Sequence, residues 1–153
     1  MDNVTFRVIS AGLGDLNDLQ RLERECFPLD AWPLLDLMAV LSLPWVVRLK
    51  AVGEAGQMLG FVAGERKPLE GVGWITTIGV FGAARRMGVG TALLLACEAA
   101  LKMPRVRLSV RASNHAALKL YERQGYRQVA LWHEYYYGGE DGVVLEKMIC
   151  QND

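Results

Sequence analysis

Arg85-Arg86-Met87-Gly88-Val89-Gly90 joins a β-rich run, Trp74 to Phe81, to an apolar-faced helical stretch that begins near Gly88. Chemistry is available at such a junction. Two glycines let the backbone approach a ligand with no Cβ in the way, a helix start offers N–H donors and the positive end of its dipole, and the arginines add charge. The group that fits is a diphosphate. A Walker loop would need a Lys-Ser/Thr pair after its last glycine, where Thr91-Ala92 stands, and a dinucleotide fingerprint would need a small residue at Leu93.

The elements that must position this loop follow from periodicity. Val4 to Ile9 alternates as a first strand, and Asp15-Leu16-Asn17-Asp18 opens a helix in which Leu16, Leu19, Leu22 and Cys26 recur at helical spacing until Pro28. A short second helix fits Leu34 to Leu41. Trp45–Val52, Met58–Glu65 and Val72–Phe81 read as consecutive strands in an antiparallel meander, separated by turn-rich stretches. The loop's own helix runs from Gly88 to about Lys102, with Val89, Leu93, Ala96 and Ala100 on one face. A strand at Val106–Val110 follows. Asn114 caps a further helix through Leu118, Tyr121 and Gln124, stopped by Gly125, before strands at Tyr126–His133 and Val143–Ile149. The predicted order is β-α-α-β-β-β-α-β-α-β-β, a mixed α/β or α+β sheet, largely antiparallel, flanked by about four helices.

Composition bounds the partners. The 153 residues suit one domain over 1–153, and seventeen basic residues balance seventeen acidic ones, so no net field favours nucleic acid or an anionic membrane. Cys26, Cys97 and Cys150 are odd in number and lack CxxC spacing, which argues against a disulfide framework or zinc site and for a reducing, cytoplasmic compartment. No metal is implied. Met1 to Thr5 has no leader pattern, and no charge-free apolar run approaches membrane-spanning length.

Arg85-x-x-Gly88-x-Gly90 after a strand, then Ser113-Asn114 and Leu120-Tyr121-Glu122-Arg123-Gln124-Gly125-Tyr126, make a chain that resembles the GCN5-related N-acetyltransferase family. Cys26-Phe27-Pro28, Val110-Arg111-Ala112-Ser113-Asn114, Glu134-Tyr135-Tyr136 and Glu140-Asp141 make it most similar to the N-terminal α-amine acetyltransferases, including the bacterial ribosomal-protein-alanine type. The resemblance implies acetyl-CoA bound where two central strands splay apart. It places the diphosphate on Arg85, Arg86, Met87, Gly88, Val89, Gly90 and Thr91, and the pantetheine on the strand Ile78-Gly79-Val80, with Asn114 contacting the same arm. Tyr121 matches the family tyrosine beside the cofactor sulfur, which protonates or hydrogen-bonds the departing thiolate, and would then be a general acid. Phe27, Pro28, Tyr135 and Tyr136 would line the acceptor's entry.

The base is the open position. Ser109 stands where α-amine enzymes often carry glutamate or histidine, and Trp74 where some relatives carry tyrosine; His133, Glu134 and Glu65 are the displaced candidates. An α-amine with pKa about 8 costs only about 1.4 kcal/mol to deprotonate at pH 7, against roughly 4.6 kcal/mol for a lysine side chain. A weak base therefore suffices for an α-amine. The expected reaction is direct attack on acetyl-CoA by a primary amine in a ternary complex, with oxyanion stabilisation from the Val80 N–H and Cys97 packed instead of nucleophilic. A protein or peptide N-terminus leads as acceptor. A small-molecule amine, or a non-catalytic acyl-CoA-binding module, stays open, as does a homodimer. Three adjacent tyrosines in one strand cannot all face a core, and Glu140-Asp141 reads as a turn or inter-strand element.

Overall fold

The computed structural model describes residues 5–149, so Val4 and Cys150 lie outside the described residues. The elements are β1 (Phe6–Ser10), α1 (Leu16–Cys26), α2 (Leu34–Ser42), β2 (Val46–Gly53), β3 (Met58–Lys67), β4 (Val72–Val80), α3 (Val89–Leu101), β5 (Arg105–Arg111), α4 (His115–Arg123), β6 (Arg127–Tyr136) and β7 (Glu140–Met148), with short 3-10 turns between some of them. That is the order expected from periodicity. The chain divides into two compact units, one of residues up to Glu65 with Ile75–Leu101, the other of Arg66–Trp74 with the remainder from Lys102.

In the first unit the strand order is β1-β2-β3-β4, with β1 and β2 antiparallel and β2 and β3 antiparallel. β3 is apolar and buried along seven consecutive residues, as a strand covered on both faces must be. Alternation divides its side chains. Phe61 and Ala63 join Leu19 and Leu22 of α1 and Leu37, Val40 and Leu41 of α2 in one cluster. Gly60 faces the other way, where an added Cβ would lie 2.8 Å from the Gly79 carbonyl oxygen and 2.9 Å from Leu93 Cδ1 of α3. On α3 the buried stripe is Val89, Leu93, Leu94, Cys97, Glu98 and Leu101; Ala96 and Ala100, expected on that face, are only half-buried. The apolar surface of the helix is so broad that small and large residues alike could have marked its centre, and packing selected the larger ones.

Local chemistry sets the ends. Asp15 accepts from the Gly12 N–H at 2.9 Å and from Lys50 Nζ at 2.6 Å ahead of α1. Pro33 precedes α2 and Pro44 follows it. Arg48 donates to the carbonyls of Ala11 at 3.1 Å and Leu43 at 2.8 Å, tying two loop ends to β2.

In the second unit the order is β4-β5-β7-β6; β4 and β5 run parallel, and the other two pairings are antiparallel. β5 alternates cleanly, burying Val106, Leu108 and Val110 and turning Arg107, Ser109 and Arg111 to the opposite face. β6 is longer than expected. It runs on to Tyr136, with register shifts at 128/130 and 132/136 and a left-handed Glu134, so β7 starts at Glu140 inside the stretch expected to be loop. Trp74, Trp132, Tyr135 and Tyr136 form an aromatic chain with successive ring separations of 5.7, 4.7 and 5.0 Å.

Glu140 is indeed an inter-strand element. It accepts from Arg111 Nη1 at 2.8 Å and from the Ser113 N–H at 2.7 Å, clamping the turn before α4 to the start of β7. Hydrogen bonds from Ser113, then the Arg111 guanidinium, hold its carboxyl down at about 2. A depressed carboxyl adds stability that is present above its unfolded value of about 4.3 and is lost as pH falls through the folded one.

Two outcomes are expected. Gly60→Ala, which must displace a backbone oxygen, lowers stability by about 1–3 kcal/mol in chemical denaturation; an unchanged midpoint would show that β3 and β4 are free to separate. Glu140→Gln melts below the wild type between pH 6 and 8, and thermal scans at falling pH show the gap closing toward pH 2. A gap constant with pH contradicts the charge-based clamp.

Candidate active site

β4 ends at Val80, and the chain then turns through Arg85–Gly88 into α3. Arg86 has φ 67° and Gly88 φ 80°, so two left-handed residues flank Met87 in one bend. For arginine that conformation costs about 1–2 kcal/mol, and such strain is concentrated where a backbone surface has work to do. The bend lies at the start of α3, whose first N–H groups have no partner within the helix, the kind of backbone surface that can receive an anion.

The two glycines act differently. Gly88 is needed for its φ, and no atom lies within 4 Å of the position a Cβ would take. Gly90 would place a Cβ 3.6 Å from Val80 Cγ2, an ordinary contact, so the fold itself tolerates a larger residue there. Arg86, Met87 and Gly88 are exposed, Val89 is buried beneath the bend, and Gly90 and Thr91 are half-buried. Arg85 is anchored, with Nε donating to the Val80 carbonyl at 3.3 Å.

Ile78, Gly79 and Val80 sit immediately upstream, each half-buried. The α1 terminus covers this strand end. Around the position a Gly79 Cβ would occupy, Cys26 Sγ is at 3.2 Å and Phe27 Cε2 at 3.5 Å, and Cys26 Sγ donates to the Val80 carbonyl at 3.4 Å. Pro28, next in sequence, is exposed. Burial pushes the Cys26 thiol up, and it pushes the fully buried Cys97 thiol up to about 12, which leaves Cys97 a packing residue at neutral pH.

Asn114, Tyr121, Tyr135 and Tyr136 belong to the second unit. Asn114 caps α4, its Oδ1 accepting from the Ala117 N–H at 3.2 Å, while the residue itself is exposed. Tyr121 is 6% exposed, edge-on to Tyr126, with its hydroxyl pKa raised by burial and by Tyr136. Tyr136 is half-buried under the Arg111 guanidinium, and its Oη lies 2.9 Å from Ser109 Oγ. The serine in the expected base position is thus paired with a tyrosine hydroxyl. Tyr135 and Tyr137 are mainly exposed, as alternation requires for three tyrosines in a row.

The three displaced base candidates sit in different surroundings. His133 has an 80% exposed side chain, with Nδ1 3.1 Å from Asp141, and Glu134 beside it is 67% exposed. Glu65 lines a cavity of about 330 Å³ with Trp32, Asp36, Ala39, Val40, Leu43 and Val46. One functional-looking group escaped the sequence reading. Glu23 of α1 is 2% exposed, Oε1 accepts from Thr77 Oγ1 of β4 at 2.8 Å, and Oε2 has no hydrogen-bond partner. Its spacing of four from Leu19 puts it on the apolar stripe, and that was the available signal.

No group of three or more metal-binding side chains occurs among the described residues, and no helix among them is long and apolar enough to cross a membrane.

The acetyltransferase (GNAT) family model matches residues 16–126, a span that takes in α1, β4, the strained bend and Tyr121. Over 144 residues the chain is 32% identical to the N-terminal acetyltransferase A complex catalytic subunit NAA10 of Arabidopsis thaliana, covering 90% of this chain and 74% of that one. A 77-residue stretch is 39% identical to an N-alpha-acetyltransferase of Sulfurisphaera tokodaii, spanning 48% of this chain and 46% of the relative. The fold is shared with the ribosomal-protein-S18-alanine N-acetyltransferase of Escherichia coli, at TM-score 0.85, 22% identity and 97% coverage of both chains. A family match over residues 16–126, together with a relative 32% identical over most of both chains, leads to one conclusion: the chain belongs to the acetyltransferase (GNAT) family and is an acetyl-CoA-dependent N-acetyltransferase.

Proposed function

We propose that the chain, acting as one domain over residues 1–153, transfers the acetyl group of acetyl-CoA to the N-terminal α-amine of a protein or peptide. The observation that carries this is the strained bend: Arg86 and Gly88 both left-handed, directly between the strand Ile78–Val80 and the start of α3. The amides of the bend and the α3 N-terminus hold the diphosphate, with Arg86 adding charge and Met87, Val89, Gly90 and Thr91 completing the cradle. The backbone of Ile78, Gly79 and Val80 takes the pantetheine amides, and Asn114 contacts the same arm while capping α4. The two relatives described above are named for α-amine or N-terminal acetylation, which supports that acceptor over a lysine side chain. Free Cys26 and Cys97 fit a reducing, cytoplasmic setting.

Chemistry proceeds by direct attack. The amine nitrogen adds to the thioester carbonyl, the Val80 N–H stabilises the oxyanion, and the C–S bond breaks to release a thiolate. Tyr121 meets that sulfur. Even at ordinary values the gap between a thiol near 8.5 and a phenol near 10 disfavours full proton transfer by about 2 kcal/mol, and burial of Tyr121 widens it. Its role is therefore a hydrogen bond to developing negative charge, with the proton then drawn from solvent. Phe27, Pro28, Tyr135 and Tyr136 shape the acceptor's entry.

Thiol release measured with acetyl-CoA and peptides starting in Ala, Ser or Met, beside polyamines and free amino acids, is expected to favour peptides. Turnover with small amines alone removes the peptide assignment. Tyr121→Phe should lower kcat at least about tenfold, the size of one lost hydrogen bond to developing charge, while coenzyme A affinity by calorimetry changes less than twofold; an unaltered kcat removes its role. Gly90→Ala should keep or raise the melting temperature, since the fold has room and alanine favours helix, yet weaken coenzyme A binding several-fold. Undiminished affinity would place the diphosphate elsewhere.

A further inference from the structure

A carboxyl as deeply buried as Glu23 is costly unless both oxygens are satisfied, and only Oε1 is. An apolar side chain would fill the same space at less cost. The position is informative. Glu23 and Cys26 stand one turn apart on α1, over Thr77 and Gly79, which share one face of β4 and bracket Ile78. Phe27, the acceptor-side residue, reaches the same glycine. The carboxyl is thus held at Thr77, one residue before the strand segment assigned to the cofactor's reactive arm, on the face that Cys26 and Phe27 cover at Gly79.

We propose that Glu23 is the base of the transfer reaction, Oε2 taking the proton from the acceptor's ammonium directly or through one water. This assignment rests on the acetyl-transfer reading above. The ammonium N–H proton passes to Oε2, leaving a neutral amine and a neutral carboxylic acid. The amine lone pair then forms the C–N bond to the acetyl carbon and the C–S electron pair leaves on sulfur; the nitrogen sheds its surplus proton to solvent and the thiolate takes one from solvent, so the products are a neutral amide and a free thiol, and Oε2 returns its proton to solvent.

Electrostatics supports the role. Burial raises the Glu23 carboxyl above its ordinary value, against the Thr77 hydroxyl and the Trp32 backbone N–H, which favour the anion. That Trp32 N–H is not in hydrogen-bond geometry with Oε2. No cation contributes to its titration. Of the charged and titratable groups on the neighbouring elements, Glu25 of α1 is engaged by the Gly82 N–H, Arg85 and the Cys26 thiol interact with each other and with the Val80 carbonyl, and Asp36 of α2 and Glu65 of β3 line the cavity beside Trp32. A carboxyl raised in this way is closer in basicity to an α-amine than an exposed glutamate would be.

The test is the pH dependence of kcat/KM with an Ala-starting peptide, for wild type, Glu23→Gln and Thr77→Val, each checked by thermal melting. The wild type should lose activity as pH falls through the Glu23 pKa. Glu23→Gln should be at least about tenfold slower at pH 7, with its acid limb moved up to the acceptor ammonium near pH 8, because only the pre-formed free amine reacts. A folded Glu23→Gln with the wild-type rate and limb overturns the assignment and leaves acetyl transfer intact. Thr77→Val removes a bond that favours the anion, so its limb should shift to higher pH. If Glu23→Gln does not fold, Thr77→Val decides: a shifted limb supports the base, an unmoved one overturns it. A wild-type protein that binds coenzyme A but acetylates no amine removes the acceptor reading and Glu23's role together.

Discussion

The first unit is organised by the need to bring bare backbone close to backbone. Gly60 and Gly79 approach so tightly that a methyl group between them would meet a carbonyl oxygen at 2.8 Å, and α3 packs its Leu93 into the same space. That approach sets where β4 ends relative to the start of α3. The few residues between must reverse direction, and they do so by placing Arg86 and Gly88 in left-handed conformations. The strained bend that the proposed function assigns to the diphosphate is thus a consequence of how strand and helix are packed.

Strain and unsatisfied polarity fall in the same neighbourhood. Arg86 holds a backbone conformation arginine disfavours, and Glu23 holds one carboxyl oxygen away from water without a hydrogen bond. Each would be removed by an obvious substitution if stability alone mattered, glycine at the first and an apolar residue at the second. The surrounding core of Leu19, Leu22, Leu37, Leu41 and Phe61 is apolar and fully buried, which supplies the stability against which these local costs are carried.

The second unit manages polarity differently, by pairing half-buried charges across its strands. Arg107 meets Glu146 across β5 and β7, Arg111 meets Glu140, and Ser109 shares a hydrogen bond with Tyr136. The aromatic chain from Trp74 to Tyr136 lies on top of this ladder. Tyr121 of α4 is buried edge-on to Tyr126, where loss of water and the influence of Tyr136 keep its proton on.

Much of this was legible in the residues. Helical spacing at Leu19 and Leu22, the prolines around α2, the Asn114 cap and the Gly125 stop marked elements because those signals act within a few residues of chain, and every strand and helix appears in the expected order. The Arg-Gly bend was legible for the same reason, since glycine's freedom and a helix start are local properties. Other features were decided only by tertiary packing. β6 extends to Tyr136 because its pairing with β7 resumes beyond two register shifts, and no local signal encodes a partner strand. Ser109 acquired a tyrosine partner 27 residues away, and Glu23 a threonine 54 residues away. A charged residue in a helix reads as solvent-facing until the fold closes over it. Which segments form, and where the arginine–glycine bend falls between them, depends on neighbours in the chain; which titratable groups lose water depends on neighbours in space.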